Sequence, residues 1–149
     1  MRKKRSFKRF LKYLYFKLIR INDPPEKIAK SFAIGVFIGI FPTFGLGGLM
    51  AIIISRILKL NYISTILGTF VMNYITSPIF WSISYFLGDF IIEGKINFRF
   101  IERGKIKQFA FKYLLGNVIV SLVFSILSYY IVKTFIKKYR ERKFRKTVS

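Results

Sequence analysis

The chain has 149 residues, 53% of them hydrophobic, with 27 Lys and Arg against 6 Asp and Glu and neither cysteine nor histidine. That inventory excludes disulfides, thiolate chemistry and Cys- or His-ligated metal centres, and it leaves a general acid–base pair short of partners, so an enzyme is the least favoured class and no cofactor is expected. High apolar content and high charge coexist because they are segregated: uncharged runs at 31–55, 60–88 and 113–132 hold 74 of the 149 residues.

Residues 1–23 come first. Phe7, Phe10, Leu11, Leu14, Tyr15, Leu18 and Ile19 recur at helical spacing and form one apolar stripe. The spacing predicts a basic amphipathic helix on a membrane surface, with Arg5, Lys8, Arg9 and Lys12 as contacts for anionic headgroups. A solvated positive flank explains the same charges. Nucleic acid is the weakest partner, because the aromatics keep helical spacing instead of forming a stacking surface.

Residues 24–92 read as a membrane core. Asp23, Pro24, Pro25 and Glu26 stop the first helix and start a second. At about 1.5 Å per residue each uncharged run could cross a bilayer core of about 30 Å. Yet the first run carries Pro42, Thr43, Gly45, Gly47 and Gly48 at its middle, and the second carries Asn73, Thr76, Ser77 and Pro78. The predicted result is two interrupted helical hairpin segments, each either re-entrant or spanning. Backbone groups freed at such breaks cannot face lipid, so they are buried in protein or line a wet cavity. Pro42, Thr43, Gly45, Asn73, Thr76, Ser77 and Pro78 are the candidate polar site, against the plainer reading of a structural kink. Gly35-Val-Phe37 recurs as Gly68-Thr-Phe70, thirty-three residues later. With so few identities, coincidence is the simpler account of that repeat. Asp89 and Glu93 fall one helical turn apart at the edge of the second run.

Residues 93–112 form a basic connector, 113–132 a transmembrane helix edged by Tyr129 and Tyr130, and 133–149 a basic tail, frayed or disordered. Eleven Lys and Arg in residues 1–30 and eight in the tail place both termini in the cytoplasm by the positive-inside rule. One interrupted run re-entrant and the other spanning satisfies that rule and puts the connector outside.

The stretch "PPEKIAKSFAIGVFIGIFPTFGLGGLMA…LKLN…GTFVMNYITSP…YFLGDF", over roughly residues 24–90, resembles the bacterial membrane family called domain of unknown function 2062. Pro25, Ala29, Ala33, Gly35, Phe37, Gly39, Pro42, Gly45, Asn61, Gly68, Thr69, Asn73, Thr76, Pro78 and Gly88 carry the resemblance. Tyr74 stands where the family pattern has proline, and Gly47 where many members have Gln or His. The resemblance implies a protein of the bacterial inner membrane, and relatives joined to glycosyltransferase-like domains imply an envelope-glycan enzyme as partner.

The sequence is therefore read as an all-α integral membrane protein: an amphipathic N-terminal helix, two interrupted hairpin segments and one C-terminal transmembrane helix. Its leading function is a polar mid-membrane site for passage or recognition of a small solute, an ion or a lipid headgroup. The other reading is an accessory or scaffold protein for a membrane-associated glycan or lipid enzyme. Self-association into a homo-oligomer is expected, since three short elements enclose little volume.

Overall fold

A computed structural model describes residues 9, 12–13, 16–18, 20–43, 45–73, 75–94 and 106–148, with side chains of the last helix described to residue 145. The described residues are all helical or connecting; none is a strand. Of the expected helix over 1–23, Arg9, Lys12, Tyr13, Phe16, Lys17 and Leu18 are helical, and Arg9 and Lys12 are exposed. Arg5, Lys8 and most of the expected apolar stripe lie outside the described residues.

Helix α1, Pro25–Ile40, starts where Pro25 sets φ in its first turn. It ends because Phe41 precedes a proline and is driven into extended backbone, with φ −60° and ψ 141°. The chain turns through Gly45, whose φ of +88° is a conformation that side chains resist. Helix α2, Gly47–Ile57, then returns alongside α1. Its end is capped by a Leu60 N–H to Ser55 carbonyl bond of 2.8 Å, with Lys59 in the left-handed region where glycine is usual.

Helix α3, Tyr62–Thr69, begins at Asn61, whose side-chain oxygen accepts the Ser64 N–H at 2.9 Å. It packs parallel to α1 through small residues. A Cβ on Gly35 would overlap the carbonyl of Thr65, and a Cβ on Gly68 would overlap the carbonyl of Phe32. One turn earlier, Ser31 Oγ accepts the Asn61 N–H at 2.9 Å, while Ser64 Oγ donates to the Ile28 carbonyl at 2.8 Å. Each of these contacts has a counterpart with every residue shifted by thirty-three. The two helices thus meet across a local pseudo-two-fold axis, as two copies of one surface would.

Helix α4, Ser77–Glu93, ends at Gly94 with φ +66°. Helix α5, Ile106–Val148, is 43 residues long and spans roughly 64 Å at the usual helical rise. It is one continuous helix, so the expected connector end, span and tail are a single rod, and the tail is helical to Val148 instead of frayed or disordered. It is also the one described helix long and apolar enough to cross a membrane, by length and composition.

Helix α5 runs antiparallel to α1. Asn117 Nδ2 donates to the Ile40 carbonyl (3.1 Å), Ser125 Oγ to the Ala33 carbonyl (2.8 Å), and Arg140 Nη2 to the Asp23 carbonyl (2.7 Å). It runs antiparallel to α4 as well, where Gly116 abuts the Ser84 backbone and Gly88 the Lys112 backbone. So α1 and α2 form a there-and-back pair, whereas α3 and α4 progress in one sense. Residues 21–26 and 133–140 share one end of the molecule, and residues 88–93 lie beside Lys112 toward the other. The core belongs to α1: Ile28, Ala29, Val36 and Ile40 are buried, with Leu67, Val120 and Ile136 packed around them. The outer faces are apolar. Leu49, Ile52, Ile53 and Ile57 on α2, and Leu122, Val123, Ile126, Leu127 and Ile131 on α5, are exposed.

Candidate functional site

The two interruptions meet over α5. A cleft of about 820 Å³ lies where the end of α1 and the 41–45 turn face the start of α4 across the first turns of α5. Pro42, Thr43, Gly45, Ser77 and Pro78 line it, so five of the seven candidate residues are brought together. The other two are not among its lining. Asn73 Oδ1 accepts the Ile75 N–H at 2.9 Å and the Thr76 N–H at 3.2 Å. Thr76 Oγ1 donates to the Val71 carbonyl at 2.7 Å and accepts the Asn73 N–H at 2.9 Å, and Ser77 Oγ donates to the Asn73 carbonyl at 2.8 Å. These side chains close the break between α3 and α4 on itself.

The cleft wall is aromatic: Phe41, Trp81, Tyr85, Phe109 and Tyr113. Tyr85 and Phe109 stack with ring centroids 4.9 Å apart, which joins α4 to α5 at its back. Thr43, Ser77, Ser82 and the two tyrosines are its polar lining residues, with the Ser77 and Ser82 hydroxyls donating to the Asn73 and Pro78 carbonyls at 2.8 Å. The site has the make-up of a pocket for a largely apolar ligand with a small polar part. Among the described residues no cluster of carboxylates could hold a metal ion.

Behind this wall sits Asn117, fully buried, linked to two lining residues. Its amide nitrogen donates to the Ile40 carbonyl, left without a helical partner where α1 ends, and lies 3.4 Å from the Tyr113 hydroxyl. Its Oδ1 meets no donor among the described residues. An acceptor so placed is costly unless something donates to it.

Two further clusters fix the ends. Asp89, fully buried, bonds Lys112 at 2.7 Å, and Lys112 also bonds Glu93. The predicted pairing of Asp89 and Glu93 on one face thus has a cation between them, supplied by α5. At the opposite end Asn61 Nδ2 donates to Asp23 at 2.6 Å, and Lys27 lies 3.2 Å from the same carboxylate. The Asn61 hydrogen bond above all holds the Asp23 carboxyl below its ordinary value; burial opposes it, and the Lys27 hydrogen bond and the Lys27 and Arg140 charges add smaller lowering effects.

Sequence reading missed Trp81, Tyr85, Phe109 and Tyr113, because an aromatic in an apolar run carries no mark of which face it occupies. It also missed that Asn61 ties three segments. A polar residue between uncharged runs was a signal for it, but Asp23 and Ser31 as its partners were not.

A family described as an uncharacterised protein conserved in bacteria, DUF2062, matches residues 8–145. No curated protein and no solved structure matches the chain.

Proposed function

Because the chain belongs to the DUF2062 family of conserved bacterial proteins, and the cleft between its two interruptions is aromatic instead of ionic, we propose that it is a membrane protein that recognises a lipid through that cleft. An acyl or isoprenoid chain would lie against Phe41, Trp81, Tyr85 and Phe109. The lipid's polar part would meet Thr43 at the first helix break. Recognition is favoured over passage of a polar solute, since Asn73 and Thr76 already spend their hydrogen bonds within their own turn.

Membrane residence is supported by the apolar outer faces of α2 and α5, where large aliphatic side chains are exposed together. The there-and-back path of α1 and α2 fits a re-entrant hairpin, and the one-way path of α3 and α4 fits an interrupted crossing. The basic end, where residues 21–26 meet 133–140, fits the cytoplasmic face of the bacterial inner membrane.

The carrying observation is the depth of Tyr85 in the cleft, 5% exposed yet lining it. Trp81 is the single tryptophan, so a Trp81→Phe, Tyr85→Trp chain carries one indole inside the cleft. In vesicles of acyl-brominated phosphatidylcholine that indole should be quenched nearly as strongly as one at Tyr130→Trp, where the native side chain is 63% exposed. Quenching at position 130 with bright emission from position 85 sinks the reading.

A further inference from the structure

The end of the molecule opposite Asp89 carries a second cavity. A notch of about 480 Å³ lies between Arg20, Ile21 and Asn22 and one turn of α5 formed by Tyr139, Arg140 and Lys143. We propose that this notch binds a phosphate ester, as the phosphodiester headgroup of an anionic phospholipid.

The geometry is built around Arg140. Both hydrogens of its Nη2 are spent on backbone, donated to the Ile21 carbonyl at 2.8 Å and the Asp23 carbonyl at 2.7 Å. A guanidinium carries five N–H donors, so three remain on Nη1 and Nε. The group is held in place before any ligand arrives, and a fixed planar fork loses little entropy on meeting two phosphate oxygens. Arg20 and Lys143 add charge on either side of it. The Asp23 carboxylate feels the Arg140 charge while its oxygens bond Asn61 and Lys27, but three cations line the notch and no carboxylate does. The Asn22 amide supplies an uncharged partner for ester or glycerol oxygens.

Position argues for a lipid as the source. Arg140 stands two helical turns beyond Val132, where the last uncharged run ends. That is about 12 Å along the axis, the level of headgroups when the run spans the hydrocarbon. The notch does not depend on what enters the aromatic cleft.

The test uses the whole protein in mild detergent with equimolar phosphatidylglycerol and phosphatidylcholine, and reads retained lipid by native mass spectrometry. Phosphatidylglycerol should be held in clear preference. The double variant Arg20→Gln, Lys143→Gln should lose at least fivefold of that retention, with its helical circular dichroism unchanged. The variant Lys137→Gln, Lys138→Gln removes the same charge from exposed positions on the same helix and should retain lipid as the native chain does. Equal losses from both doubles would mean diffuse attraction and overturn the site. A second arm titrates inorganic phosphate. Displacement of the lipid at millimolar phosphate supports the anion chemistry with a soluble ester as the source. Resistance to phosphate supports the lipid. No preference for phosphatidylglycerol together with no phosphate-dependent 31P broadening overturns both.

Discussion

The two helix breaks solve one problem in opposite ways. Between α3 and α4, the freed backbone groups are taken by side chains of the break itself: Asn73, Thr76 and Ser77. Between α1 and α2, the Ile40 carbonyl is taken from 77 residues away by Asn117 of α5, while Gly45 makes the turn. A locally closed break is a property of its own few residues. The break between α1 and α2 has local bonds too, Thr43 N–H to the Phe41 carbonyl at 2.8 Å and Leu46 N–H to the Thr43 carbonyl at 2.9 Å, but its Ile40 carbonyl keeps its donor only while α5 stays docked. The locally closed break suits a rigid corner; the other couples the shape of the cleft to the seating of α5.

The strongest way to break the comparison is Gly116→Val. A side chain there would overlap the Ser84 backbone and lift α5 from α4. Overpacking of this kind costs typically about 1–3 kcal/mol, and the upper end is expected because backbone, not a flexible tip, is in the way. Hydrogen exchange should rise at 41–46 and stay protected at 71–77. Next is Asn117→Ala, which leaves the Ile40 carbonyl without its donor. The expected loss is about 1–2 kcal/mol by denaturant titration, toward the low side of the usual penalty because the unpartnered Oδ1 goes too. Thr76→Val keeps the shape of the second break but removes the bonds to Val71 and Asn73, at about 1 kcal/mol, with exchange rising at 71–77 alone.

Acidification probes the ends instead of the breaks. The Asp23 carboxyl titrates below its unfolded value, so its contribution is complete above that value and fades as pH falls through the lower, folded one. Stability should therefore decline at the acid edge, and Asp23→Asn should flatten that decline in a pH series of thermal melts. The smallest change is a gain. Lys59 is a non-glycine residue at φ +53°, and Lys59→Gly should add up to about 1 kcal/mol.

What was legible in the sequence follows from the same contrast. Pro42 and Gly45 announce their turn, and Asn73, Thr76, Ser77 and Pro78 announce theirs, because each acts on neighbouring residues. The docking of Asn117 on Ile40, of Lys112 between Asp89 and Glu93, and of Asn61 on Asp23 was not legible, since a polar side chain does not declare a partner dozens of residues away. Charge misled at the C-terminus. A run of Lys and Arg looked like a loose tail, yet Ile136 and Val132 keep it packed on the core at helical spacing. The thirty-three-residue repeat looked like coincidence at the level of identities; the reciprocal Gly35 and Gly68 contacts give it a physical meaning in α1 and α3, but not in α2 and α4, whose directions differ.

The pseudo-two-fold pairing of α1 with α3 also sets a schedule. The glycine face of α1 fits one surface, and that surface is made thirty-three residues later in the chain. At ribosomal rates of about 5–20 residues per second the wait is roughly 2–7 s. For that time a nascent α1 shows its bare backbone groove to its surroundings and to any neighbouring chain. A fragment ending before Asn61 never completes the match, and the mate left open to it is the same groove on another copy.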